Sequence, residues 1–235
     1  MDEIPSTLFG FRLALAVPGK VAFAPRFSKA MVQRLYTPSA DGLPRLPQNY
    51  AECVEYIRSD YFRYTGRRAS LPRMWLYGLR NPAFGFSFWL RLSAHRGWLY
   101  PLTRLLHRRY VRRYGLQIYP TTRIGFGLYV GHAFGTIVNP TAVIGHNVNL
   151  SQFTTVGSNR GEAAVIGDGV YVGPTVCLVE NVKVGAGATV GAGAVVTHDV
   201  PPGTTVAGVP ARVVKSTSHP EYIGNRWPVT EQAEA

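Results

Sequence analysis

Residues 166–196 read IGDGVY-VGPTVC-LVENVK-VGAGAT-VGAGAV-V, with an aliphatic side chain at every sixth position: Ile166, Val172, Leu178, Val184, Val190 and Val196. Glycine follows at Gly167, Gly173, Gly185 and Gly191, and a small or β-branched residue returns four places after the aliphatic, at Val170, Val176, Val182, Ala188 and Ala194. A helix would need returns at three and four, and a two-faced strand would need period two. Period six predicts short strands joined by tight corners, with each aliphatic inward and each glycine allowing the backbone geometry of a corner. One such turn cannot bury its own apolar side, so the coils must stack into a solenoid.

The same phase runs backward through Ile118, Ile124 and Val130, and through Val138, Ile144, Leu150 and Val156. It slips twice. Val130 to Val138 carries two extra residues, in the segment Gly131-His132-Ala133-Phe134-Gly135, and Val156 to Ile166 carries four, in the loop of residues 157–164. Solenoids take insertions as surface loops, and such loops often carry function.

Around this repeat the chain is uneven. Of its 235 residues, 46% are hydrophobic and 16% charged, which suits a packed protein and excludes global disorder. Residues 1–116 hold 19 Lys and Arg against 6 acids, whereas residues 117–235 hold 6 against 7. No acid occurs between Asp60 and Glu162. Residues 61–116 carry 12 Arg and 13 aromatics, with Arg104, Arg108 and Arg112 in one helical row and Leu102, Leu105, Leu106 and Tyr110 in another. That composition fits an anionic membrane surface. It equally fits helices packed on the solenoid with a solvated basic face. No nucleic-acid-binding module is recognisable, so nucleic acid is not an expected partner.

The expected organisation is a basic, aromatic-rich helical region over residues 1–116, a Pro-rich linker at about 37–48, a solenoid at 117–215 and a tail at 216–235. Two cysteines, Cys53 and Cys177, form no framework and read as reduced thiols of a cytoplasmic protein. The apolar run of residues 8–24 is preceded by Asp2 and Glu3 and broken by Arg12, Pro18 and Lys20, a poor secretion signal.

The six-residue period, the GHAFG bulge, the SNRG loop, the paired GAGA steps and the closing Ala207-Gly208-Val209-Pro210-Ala211-Arg212 together resemble the hexapeptide-repeat acyltransferases. The nearest likeness is to serine-acetyltransferase-like enzymes, particularly those found with capsule and exopolysaccharide genes. It is dense from Gln117 to Lys215 and weaker over 56–116, at Asp60-Tyr61-Phe62-Arg63-Tyr64-Thr65-Gly66 and Asn81-Pro82-Ala83-Phe84. The resemblance implies a left-handed parallel β-helix, a homotrimer and acetyl-CoA as donor.

His132 is the expected general base, because it occupies the bulge and imidazole accepts a hydroxyl proton near neutral pH. His146 and His198 fall at an outward repeat position and read as surface residues. The spacing of the three histidines does not match a trimer-interface zinc site, so no metal is expected. By register with the family, Ser158, Pro174 and Ala192 would contact CoA, and Arg212 and Lys215 would meet its phosphates. Gln117, Gln152, Asn159 and Arg160 are the acceptor-side candidates. Gln117 and Gly131 stand where serine acetyltransferases carry carboxylates, and an unpaired ammonium in a desolvated site is costly. The expected acceptor is therefore a sugar hydroxyl of a polysaccharide or lipid-linked oligosaccharide, at the inner face of the cytoplasmic membrane. A divergent serine acetyltransferase and a non-catalytic glycan-binding scaffold are the alternatives.

Overall fold

The structure is a computed structural model that describes residues 42–229. The helix-compatible pattern of residues 1–36 and the start of the linker lie outside the described residues. Among the described residues four helices come first: α1 (Tyr50–Thr65), α2 (Leu71–Arg80), α3 (Pro82–Leu92) and α4 (Tyr100–Tyr114). Asn49 caps α1 by accepting from the Glu52 amide at 2.9 Å, and Glu52 accepts from the Gln48 amide in return. Gly66 ends it at φ 67°, where glycine carries no Cβ penalty. Asn81 caps α3 through the Phe84 amide, with Pro82 at the first helical position. α3 is apolar almost all round, and α1, α2 and α4 pack against it.

From Arg123 the chain winds as a parallel β-solenoid, a left-handed β-helix of about four turns. One wall stacks β1 (Arg123–Ile124), β4 (Val143–Ile144), β7 (Val165–Ile166) and β10 (Lys183–Val184). A second stacks β2 (Tyr129–Val130), β5 (Asn149–Leu150), β8 (Tyr171–Val172), β11 (Thr189–Val190) and β13 (Thr205–Ala207), closed by antiparallel β14 (Arg212–Lys215). The third holds β3 (Ile137–Val138), β6 (Thr155–Val156), β9 (Cys177–Leu178) and β12 (Val195–Val196). The register places Ile144 over Ile124 and under Ile166, and Leu150 under Val172. Every aliphatic of the period is buried.

The glycines beside those aliphatics do a different job from the expected one. A Cβ on Gly167 would lie 2.7 Å from the Ala186 amide nitrogen, and one on Gly173 would lie 2.8 Å from that of Ala192. They permit close stacking of coils. The left-handed corner residues stand three places after the aliphatic, at Asn147, Phe153, Thr175 and Asn181, or at glycines such as Gly187 and Gly193.

The helices cap the open end of the solenoid. Asp60 of α1, fully buried, pairs with Arg91 of α3 at 2.8 and 3.0 Å, receives the Ser87 hydroxyl, and accepts from the Leu128 amide at 2.8 Å. Arg91 then donates to the carbonyls of Ile124 and Gly125. Arg63 donates to the carbonyl of Gly127 and to the Asn149 side chain, and its burial lowers its pKa to about 10. The Tyr64 hydroxyl donates to the Val130 carbonyl and accepts from its amide. The first coil has no coil beneath it, so these side chains satisfy the edge groups that another coil would take.

The C-terminal segment also docks. Trp227 is buried beside Tyr56 and Phe126, and it exchanges two hydrogen bonds with Asn147 at 2.7 and 3.0 Å. On α4 the buried residues are Thr103 and His107, while Leu102 and Leu105 are 52% and 64% exposed. Of the two arrangements left open by the sequence, the leucine row therefore faces out and not onto the solenoid. The solenoid-side contacts come from Tyr110, Val111 and Tyr114 instead. His107 stacks near Phe86, and burial pulls its pKa down to about 4.

Candidate active site

His132 lies between β2 and β3, in the first register slip. It is exposed, and its φ of 40° lies in the left-handed region, uncommon for a residue with a side chain. The bulge is held at both ends. The Gly131 amide donates to the Leu150 carbonyl at 2.8 Å, and the Gly135 amide donates to the Tyr114 carbonyl at 3.1 Å. Within it the Phe134 amide donates to the carbonyl of His132 itself. The imidazole is thus presented on a fixed backbone.

The same corner recurs up the stack. Gln152 follows β5, Pro174 follows β8 and Ala192 follows β11, strands that neighbour one another in the wall that begins with β2. Main-chain bonds tie these corners together: Thr175 amide to Gln152 carbonyl at 3.0 Å, and Gly193 amide to Pro174 carbonyl at 2.8 Å. The structure therefore brings His132, Gln152, Pro174 and Ala192 onto one ledge.

Two open pockets meet at His132. The first, about 280 Å³, is lined by Tyr129, Gly131, His132, Asn149, Ser151, Gln152, Tyr171, Pro174 and Tyr222. Tyr222 comes from the docked C-terminal segment, its ring centroid 5.0 Å from that of Tyr171 and its carbonyl accepting from Asn149 at 2.9 Å. In this pocket the side-chain oxygen of Gln152 is buried and has no hydrogen-bond partner. The second pocket, about 390 Å³, is lined from the helical region by Tyr64, Arg80, Asn81, Pro82 and Tyr114, and from the bulge by His132, Ala133 and Phe134. Arg80 has no acidic partner among the described residues.

Other expected residues lie elsewhere. Ser158, Asn159 and Arg160 follow β6, at the next corner. There Glu180 accepts from the amides of Asn159 at 2.8 Å, Arg160 at 2.9 Å and Gly161 at 3.2 Å. Those bonds, Arg160 first, hold the Glu180 carboxyl down to about 2. The Ser158 hydroxyl is used within the loop, on the Gly161 carbonyl and Glu180. Gln117 pairs beneath Ile137 at the edge of the β3 wall and lines neither pocket at His132. Arg212 lines a separate pocket of about 290 Å³ with His198 and Asp199, and Lys215 lies exposed at the end of β14.

The reading of His146 as a surface residue is corrected. Its ring stacks on Phe126 and its Nδ1 accepts from the Phe126 amide at 3.0 Å, while burial lowers its pKa against the opposing pull of Asp168. It is a structural, neutral imidazole. Among the described residues no three His, Cys, Asp or Glu side chains gather as a metal site.

Sequence reasoning missed Tyr222, Tyr171, Arg80 and Tyr64 as walls of the His132 pockets. Tyr171 stands at an outward position of the repeat, which marks it as groove-facing. The other three come from segments with no repeat period to place them.

The family described as bacterial transferase hexapeptide (six repeats) matches residues 163–198. The serine acetyltransferase of Escherichia coli strain K12 is 36% identical over 150 residues, covering 62% of this chain and 54% of that protein. The chain thus spans about half the length of the curated relatives it matches. Soybean serine acetyltransferase, solved in complex with serine, is 36% identical with a TM-score of 0.55, over 69% of this chain and 68% of that one. The Brucella abortus strain S19 enzyme, solved with coenzyme A, is 30% identical with a TM-score of 0.56, over 71% and 67%.

These relatives overturn the sugar acceptor expected from the sequence, since they are serine acetyltransferases and the soybean enzyme holds serine itself. The narrower likeness to the capsule-associated branch gives way with it. The expectation failed for a physical reason. It treated two missing carboxylates as leaving an ammonium unpaired and dry, but both pockets at His132 are open to water. A hydrated ammonium with a neutral acceptor does not incur the full desolvation cost. Matched over two thirds of its length by a solved serine acetyltransferase, the chain belongs to the hexapeptide-repeat acyltransferase family, alongside the serine acetyltransferases.

Proposed function

We propose that this protein is an O-acetyltransferase that moves the acetyl group of acetyl-CoA to the hydroxyl of L-serine or a close hydroxy amino acid. The observation that carries the reading is His132, presented in a fixed bulge on the ledge shared by Gln152, Pro174 and Ala192, in a chain whose relatives are serine acetyltransferases.

In this reading the pantetheine arm lies along the ledge past Ala192 and Pro174, where small side chains leave the backbone accessible. The imidazole of His132 takes the proton of the acceptor hydroxyl as its oxygen attacks the thioester carbonyl. The tetrahedral intermediate collapses by breaking the carbon–sulfur bond, and the proton passes to the departing CoA thiolate. Such a base contributes ~10²–10⁴-fold to the rate. Arg80 suits the acceptor's carboxylate, and the free oxygen of Gln152 suits its ammonium. No acyl-enzyme step is invoked. Asn159, Arg160, Arg212 and Lys215, on other corners, would serve the nucleotide end of CoA.

The reading includes a homotrimer in the cytoplasm. Supporting assembly, Phe134 and Phe153 are stacked on successive coils beside His132 and are 54% and 55% exposed, an apolar edge suited to a second copy.

The test uses the purified full chain with acetyl-CoA and L-serine, following thiol release and the mass of the product. Serine-dependent thiol release with formation of O-acetylserine is expected. His132→Asn, which tolerates the left-handed backbone, should lower turnover about 10²-fold or more with the melting temperature unchanged. Thiol release indifferent to serine would reject the acceptor, and near-parental turnover of the variant would reject the base.

A further inference from the structure

The strongest unexplained feature outside the pockets is the outer surface of α2. At about 100° per residue, Leu71, Trp75, Leu79, Pro72 and Leu76 fill an arc of about 140°. Their exposures are high for large apolar side chains: 38% at Leu71, 43% at Trp75, 48% at Leu76 and 58% at Leu79. Only Met74 and Gly78 of this helix are buried. α2 therefore presents more apolar surface to the outside than to its own core.

The neighbouring helix also carries exposed apolar side chains. α2 and α4 both pack on α3, and they meet where the Tyr110 hydroxyl reaches the Gly78 carbonyl at 3.4 Å. Trp98, just before α4, is 82% exposed, followed by the outward Leu102 and Leu105. Toward the C-terminal end of α4 the same outer side changes from leucine to arginine, at Arg108, Arg109, Arg112 and Arg113, all exposed. Arg73 adds a charge beside the apolar arc of α2.

We propose that this face docks on the anionic leaflet of a membrane, with Trp75, Leu76, Leu79 and Trp98 in the boundary between headgroups and acyl chains and the arginines of α4 on lipid phosphates. Charge selects this occupant. No acid exists anywhere in residues 61–161, so a second copy meeting this face through the same face would oppose arginine with arginine. An anionic leaflet supplies the missing counter-charge, and amphipathic helices with Trp and Leu on one side and Arg on the other lie in the interface plane. No helix among the described residues is long and apolar enough to cross a membrane, so the contact is peripheral. α2 ends at Arg80, which lines a pocket with His132, so docking through α2 sets that pocket next to the leaflet.

The test is co-sedimentation of the full chain with phosphatidylcholine vesicles, with and without phosphatidylglycerol. Binding is expected only with phosphatidylglycerol, weakening as salt is raised. The double variant Leu76→Glu, Leu79→Glu should lower the bound fraction by about tenfold or more at fixed lipid while keeping the parental melting temperature and acetyl transfer to a soluble acceptor. No sedimentation with phosphatidylglycerol, equal sedimentation with both vesicles, or undiminished binding of the variant would overturn the proposal. A double variant that sediments as a smaller particle in the absence of lipid would also overturn it, showing the face to be covered by another copy.

Discussion

Gln152 carries the one side-chain oxygen in the His132 pocket that is buried without a partner, and a buried acceptor left unsatisfied costs about 1–3 kcal/mol until something donates to it. An acceptor ammonium would do so. Its main chain is already used by Thr175, so a side-chain change leaves the coil intact. Gln152→Leu should raise the KM for serine by about tenfold or more and leave the KM for acetyl-CoA unchanged. A parental serine KM would take Gln152 out of the acceptor site. His132 and Gln152 were both legible as candidates in the sequence, the first from the register slip and the second from its outward place in the repeat. The unpaired oxygen was not legible, because it depends on what surrounds the amide in three dimensions.

At the scale of the element, the loop of residues 157–164 is organised by one carboxylate. Glu180 sits a coil away and gathers three successive amides, which keeps it ionised down to about 2 against an ordinary 4.5. A depressed carboxyl pKa stabilises the folded loop above the unfolded value and loses that contribution as pH falls through the folded one. The window is therefore pH 4.5 down to about 2. The amide resonances of Asn159, Arg160 and Gly161 should shift with an inflection near 2, and they should move at neutral pH in Glu180→Gln. An inflection at 4.5 would mean that the carboxylate does not hold the loop. The insertion's place and length could be read from the period. Its anchor could not, because Glu180 is distant in sequence and becomes its neighbour only through coil stacking.

Across the whole molecule, the helical region and the solenoid are joined by polar side chains buried at the first coil, which is unusual for two apolar cores in contact. Asp60 and Arg91 are the centre of that junction. Removing one partner of such a pair leaves an uncompensated buried charge, at about 3–5 kcal/mol. Asp60→Ala should lower the urea midpoint by the equivalent of that figure, and Asp60→Leu with Arg91→Met should recover part of it. An unchanged midpoint in the single variant would mean that water reaches Arg91 and the junction is not sealed. Asp60, Arg63 and Tyr64 stood out in the sequence only by resemblance to related chains, and their capping of the coil edge follows from the structure alone.

The sequence by itself determined the repeat, the inward aliphatics and the two slips in register, because a solenoid is built from local contacts whose period is written along the chain. It misplaced the corners by two residues, since a residue needed for close approach to the next coil and one needed for a left-handed turn are both written as glycine. It also left open which side of α4 packs, because amphipathic spacing identifies two faces without saying which of them meets a partner. Only the tertiary structure decided that Arg91 and Asp60 seal the first coil, that Tyr222 and Arg80 wall the site, and that α2 shows its apolar side outward. Each of these depends on segments far apart in the chain meeting in space, and no period links them.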